Sequence, residues 1–168
     1  MRDAQVSGRR AIGTTGGVGG WPYAGRMTIP ARLSIVTLGV ADVAASAAFY
    51  EALGWQRAAA SMDEIVWFQT SGSAIGLFER GELAADATVA NTPSSPYQGF
   101  TLAINLESTN AVDAALQVAV AAGATVAKQP TTAEWGGYSG YFADLDGFLW
   151  ELAFNPTFAI GDDGRLEL

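Results

Sequence analysis

The 168-residue chain contains no cysteine and no histidine. Without cysteine there is no disulfide framework, no thiolate metal site and no cysteine nucleophile. Without histidine the usual general base near neutral pH and the commonest metal ligand are both missing, so a Ser-His-Asp triad and a histidine-bound zinc site are excluded. Cations are scarce as well: nine Lys and Arg stand against 17 Asp and Glu, a formal charge of −8. No charge-free apolar run reaches about 18 residues, so no membrane-spanning helix is expected.

What charge there is lies unevenly. Before Met27, Arg2, Arg9, Arg10 and Arg26 face Asp3 alone, a balance of +3 that leaves −11 for the rest. An acidic body repels nucleic acid phosphates and anionic membranes and favours cationic or neutral partners, although simple solubility accounts for the same charge. Hydrophobic residues make up 49% of the chain, enough for a core in one domain or two small fused modules.

Residues 1–30 read as a flexible tail, because AIGTTGGVGGWPYAG shows neither a strand nor a helix period. Its glycines do not make a phosphate loop, since no Lys-Ser/Thr pair follows and no strand precedes. No apolar core follows the arginines as a secretory signal requires, so a cytoplasmic location is expected. Met27 offers an alternative start.

Beyond the tail, the pattern predicts strand, helix and three strands, twice over. In the first half (31–80) the strand is Leu33–Val40. Asp42 caps a helix over Val43–Leu53 that Gly54 stops, and strands follow at Trp55–Ala60, Glu64–Thr70 and Ala74–Glu79. A connector (81–98) carries Pro93 and Pro96, with one helical turn around Glu82–Ala85. In the second half (99–157) Phe100–Leu106 is a strand and Ser108 caps an alanine-rich helix over Thr109–Ala122 that ends at Gly123. Thr125–Lys128 is a short strand, and residues 158–168 form a C-terminal tail. The stretch from Trp135 to Pro156 closes the chain with strands at Tyr138–Ala143 and Phe148–Phe154 about an Asp144–Gly147 hairpin turn. Inside the last strand sits one acid, Glu151, costly to bury unless something pairs with it. The repeat is the strongest organisational signal in the sequence.

The phrases V-x-D-x-x-x-S-x-x-F-Y-x-x-L-G-W, from Val40 to Trp55, and D-x-D-G-x-x-W-E, from Asp144 to Glu151, resemble the glyoxalase/bleomycin resistance protein/dioxygenase (vicinal oxygen chelate) superfamily. The resemblance covers roughly Leu33 to Pro156. It implies an α+β fold of two tandem βαβββ modules, each sheet curled into a half-open cup, with two cups enclosing a pocket within one chain or across a homodimer. Metal-dependent members carry four ligand positions on the cup faces. Here these fall on Ile35, Gly76, Thr101 and Glu151. A shift of two residues brings in only Leu33, Thr37, Ala74, Phe78, Gly99 and Ala103. One carboxylate and a hydroxyl fall short of the three protein ligands of an open catalytic site, so neither a metal nor another cofactor is expected.

The reading that follows is a metal-free protein that binds a small cationic or aromatic molecule, as the bleomycin-resistance branch of the family does. Glu151 binds a cationic or hydroxyl-bearing group, with Thr37, Thr101 and Asn105 as hydrogen-bonding partners. Trp67, Trp135, Tyr138 and Tyr141 line the pocket, Trp135 from a glycine-flanked loop that could serve as a lid; core packing explains any one of these aromatics as well. The alternatives are a lyase- or dioxygenase-type enzyme using Glu151, with or without a divalent metal, and a structural or regulatory dimer with a filled pocket.

Overall fold

In a computed structural model, residues 31–92, 97–134 and 136–167 are described, and every element lies in the compact unit that begins at Leu33. The tail read over residues 1–30, Pro93, Pro96 and Trp135 lie outside the described residues.

The chain runs β1 (Ile35–Val40), α1 (Val43–Ala52), β2 (Ile65–Gln69), β3 (Ala74–Glu79), α2 (Arg80–Asp86), β4 (Leu102–Asn105) and α3 (Thr109–Ala122). It ends with β5 (Thr125–Thr132), β6 (Tyr138–Ala143), β7 (Leu149–Phe154), β8 (Ala159–Ile160) and β9 (Leu166–Glu167). Local chemistry sets the helix ends. The Asp42 carboxylate accepts from the Ala45 amide at 2.9 Å and the Ser108 hydroxyl from the Ala111 amide at 3.1 Å, each meeting one of the four donors a helix start leaves open. Gly123 closes α3 in the left-handed region at φ 111°.

The strands form two mixed sheets, ordered β1-β3-β2 and β4-β7-β6-β5, with the small β8-β9 hairpin apart. In each the first strand lies parallel to the last, and the remaining pairs are antiparallel. The fold is therefore the α+β arrangement of tandem modules that the sequence implies, with one element missing. The strand expected at Trp55–Ala60 survives only as an isolated Arg57–Phe68 bridge. The Ala58 amide still donates to the Trp67 carbonyl at 2.7 Å, but the Trp67 amide turns to the Ser61 hydroxyl at 2.9 Å, and the ladder goes no further. Three further bounds differ. The connector holds two turns of helix rather than one, β5 runs on to Thr132 through two irregularities of register, and the segment read as a C-terminal tail carries the β8-β9 hairpin.

Alternation along the strands separates two faces. Leu38, Val40, Val66, Phe68, Ile75, Leu77, Phe142, Trp150 and Leu152 turn inward with Phe49 and Tyr50 of α1 and Val112 and Leu116 of α3 to make one core. Tyr50, Trp55, Phe68, Phe142 and Trp150 stack or meet edge to face at centroid distances of 5.2–6.3 Å.

The two phrases that carry the family resemblance meet at this core. Asp146 accepts from the Ala41 amide and from the Ser46 hydroxyl, both at 2.7 Å. Buried Asp144 accepts from the Tyr50 hydroxyl through one oxygen and from the Phe148 and Asp146 amides through the other. Trp150 Nε1 donates to the Tyr50 oxygen at 3.2 Å. Burial, opposed by these hydrogen bonds, raises the Asp144 carboxyl above its ordinary range; burial and then the nearby Asp144 carboxylate raise the Tyr50 phenol. The hairpin turn of the second module is thereby latched to the helix of the first.

Candidate functional site

The opposite, open faces of the two sheets carry equivalent rows. In the first module Thr37 (β1), Gly76 (β3) and Trp67 (β2) lie side by side. In the second the row is Ala103 (β4), Glu151 (β7) and Tyr141 (β6). By place in the topology Gly76 answers to Glu151 and Trp67 to Tyr141.

Gly76 has a packing reason. A Cβ there would sit 2.4 Å from Cζ3 of the Trp67 indole, so the ring lies flat across a position only glycine vacates. Farther along the same face, α2 packs on β1, with Arg80 Nε donating to the Gly39 carbonyl at 3.2 Å. Thr37 is half-buried at a cavity of about 330 Å³ between β1, α2 and the connector. The first open face is thus covered by the chain's own indole and helix.

The second open face holds the polar chemistry. Half-buried Glu151 stands directly across the β6–β7 pair from Tyr141, and Lys128 Nζ stands 5.6 Å from the centre of the Tyr141 ring, within cation–π range. Desolvation first, then Glu151 opposite it, raises the Tyr141 phenol above its ordinary value. Acid, phenol and ammonium therefore lie on neighbouring strands of one sheet face. Lys128 has no place in the motif. Only its pairing opposite Tyr141 in β5–β6 marks it, and that pairing is not periodic in sequence.

The remaining expected site residues disperse. Asn105 lies two positions along β4 from Ala103, and Thr101 just before β4 is exposed. Tyr138 turns to the helix face, where its hydroxyl donates to Asp113 Oδ1 on α3 at 2.8 Å, a bond that raises its pKa. It does not share a face with Glu151. Among the described residues no three His, Cys, Asp or Glu side chains gather. The implied ligand positions supply one carboxylate, next to Ala103, and Gly76 beneath an indole in the other module. This donor set does not fit a three-ligand divalent centre.

A second feature lies elsewhere. Both β1 and β4 are outer strands. A cleft of about 1110 Å³ lies along them, floored by Trp55, Trp150, Val36, Ile75 and Ile104 and rimmed by the Ser71–Ser73 turn, Arg57 and the β8-β9 hairpin. Asn105 lines this cleft; Glu151 lines neither cavity.

Comparison with known proteins agrees with this architecture. The crystal structure of a glyoxalase-related enzyme from Fulvimarina pelagi is 34% identical, covering 83% of this chain and 99% of its own, with a TM-score of 0.75. A glyoxalase/bleomycin resistance protein/dioxygenase family enzyme from Burkholderia phytofirmans PsJN is 27% identical, covering 74% and 98%, with a TM-score of 0.64. A lactoylglutathione lyase from Agrobacterium tumefaciens, at 22% identity, coverage of 76% and 96% and a TM-score of 0.57, shares the fold alone. Comparison with curated proteins gave no match. The model of the Glyoxalase/Bleomycin resistance protein/Dioxygenase superfamily matches residues 32–152, well over half the chain, and the protein belongs to that superfamily.

Proposed function

We propose that this protein binds a small organic molecule without a metal, holding a cationic or hydroxyl-bearing aromatic against the open face of the second module. The observation that carries the reading is the Ala103–Glu151–Tyr141 row, with its single carboxylate placed directly opposite a phenol. Glu151 offers the negative end and Tyr141 a flat surface. A second copy of the chain would close the open side of this cup, so a homodimer is part of the proposal.

The test begins with elemental analysis and thermal melting of stripped protein after exposure to Mn, Fe, Co, Ni and Zn. The expected result is neither stoichiometric metal nor a shift. Metal bound at one equivalent with a raised melting temperature would overturn it. The probe 2-naphthylmethylammonium, titrated calorimetrically, should bind, and Glu151→Gln should weaken it about ten-fold or more.

A second reading rests on the Fulvimarina protein, which is described as a glyoxalase-related enzyme. In an enzyme of this geometry Glu151 would take a proton from an acidic C–H while the Tyr141 hydroxyl, on the neighbouring strand, returned one. Turnover of an α-hydroxy carbonyl substrate that Glu151→Gln abolishes with the fold intact would favour it.

A further inference from the structure

The lining of the cleft between β1 and β4 is free of acids on a chain that is otherwise strongly acidic. From Leu33 onward the chain holds sixteen acids and only four cations, Arg57, Arg80, Lys128 and Arg165. Two of those four, Arg57 and Arg165, line this one cleft, and none of its lining residues is Asp or Glu. Chance placement on so acidic a surface would put several carboxylates there.

Both arginines are held by their inner nitrogens. Arg57 donates through Nε to Glu51 at 3.0 Å. Arg165 donates through Nε to the Ser71 carbonyl at 2.9 Å, and its Nη1 stands 3.5 Å from Asp163. The Nε bonds fix the guanidinium planes. Among the described residues neither terminal nitrogen of Arg57 has a partner. Arg165 comes from the β8-β9 hairpin and grips the β2–β3 turn, so the hairpin is a built wall of the cleft.

Below this rim the surface is apolar and aromatic. Trp150 Nε1 is already committed to Tyr50, and Trp55 stacks on Tyr50 at 5.2 Å and meets Trp150 edge to face at 5.5 Å, so the floor shows hydrocarbon. Gln56, Gln69 and Asn105 add neutral donors, and β4 pairs with β7 on one edge only, leaving main-chain N–H groups on the other. A fork of planar donors above a flat apolar floor is the arrangement that recognises a carboxylate on an aromatic or branched aliphatic body.

We infer that this seam is a second binding site, separate from the Glu151 face, for a small organic anion: an aromatic or aliphatic carboxylate whose charge meets Arg57 and Arg165 and whose body lies on Trp55 and Trp150. It does not depend on the reading given to Glu151, which lines no part of the cleft.

The test is calorimetric titration of the full chain with 2-naphthoate, followed in parallel by tryptophan fluorescence. Binding with a fluorescence change is expected, weakened about ten-fold or more in the Arg57→Gln/Arg165→Gln double variant and also by added salt. Should the glutamine variants fail to melt cooperatively, the Arg57→Lys/Arg165→Lys pair, which keeps the charge, should retain binding that salt reverses. Absence of binding at millimolar probe would overturn the inference. So would binding that folded double-glutamine protein keeps, or that the lysine pair shows to be insensitive to salt.

Discussion

Two rows of three residues, built by the same topology, have come to opposite ends. In Thr37–Gly76–Trp67 a glycine lets an indole lie down and fill its own sheet face. In Ala103–Glu151–Tyr141 a carboxylate stands at the glycine's position, with a tyrosine opposite it. One row is filled by its own packing and the other leaves a carboxylate on the open face. Duplication supplies two related frames, and one side chain per frame sets the difference between them.

The largest effect should come from cutting the latch that joins the two frames. Asp144→Ala leaves the Tyr50 hydroxyl and two amides without their acceptor, and should cost about 3 kcal/mol of stability by urea unfolding. Next is the glycine of the filled row. Gly76→Ala drives a Cβ into a rigid ring and should cost about 2 kcal/mol, and combining it with Trp67→Ala should recover part of the loss if the indole is the obstacle. In the other row Tyr141→Phe removes one half-buried hydroxyl opposite Glu151 and should cost about 1 kcal/mol or less in thermal melting.

Asp144 also gives a pH test. Its carboxyl is raised in the folded state, so the stability it contributes is full below the ordinary carboxylate range and is lost as pH rises through the raised value. Asp144→Asn should remove that downward component from the change in urea midpoint between about pH 4 and 7, whatever its mean stability. Smallest of all, Glu151→Gln should leave stability within about 0.5 kcal/mol, in contrast to the ten-fold effect proposed for ligand binding.

What could be read from the sequence was local or strictly periodic. Asp42, Ser108 and Gly123 announce helix ends within four residues of themselves, and Asp144–Gly147 announces its hairpin. Non-local pairings were not legible. Lys128 looked like the end of a strand because Pro130 follows, yet β5 continues past it. Gly140 across the pair permits this: a Cβ there would meet Pro130 Cγ at 2.8 Å and the Lys128 carbonyl at 3.0 Å. Tyr138 and Tyr141 look alike in sequence, but three residues apart on a strand places them on opposite faces, one bonded to a helix and the other opposite Glu151. Glu151 itself was visible as a lone acid among apolar neighbours. The seam cleft was invisible, since its walls come from both modules and from a hairpin whose two-residue strands are too short to show a period.

The latch has a consequence for how such chains diverge. The polar residues Asp42, Ser46, Tyr50, Asp144 and Asp146 of the two recognition phrases, with Trp150, cap a helix or tie a helix to a turn. Glu151, one position beyond Trp150, faces the other way. Lineages of this kind can exchange reactivity for storage, or acquire a new cargo, through substitutions at alternate positions of a single strand. Their badge of kinship meanwhile stays untouched, because it answers to architecture and not to the work being done.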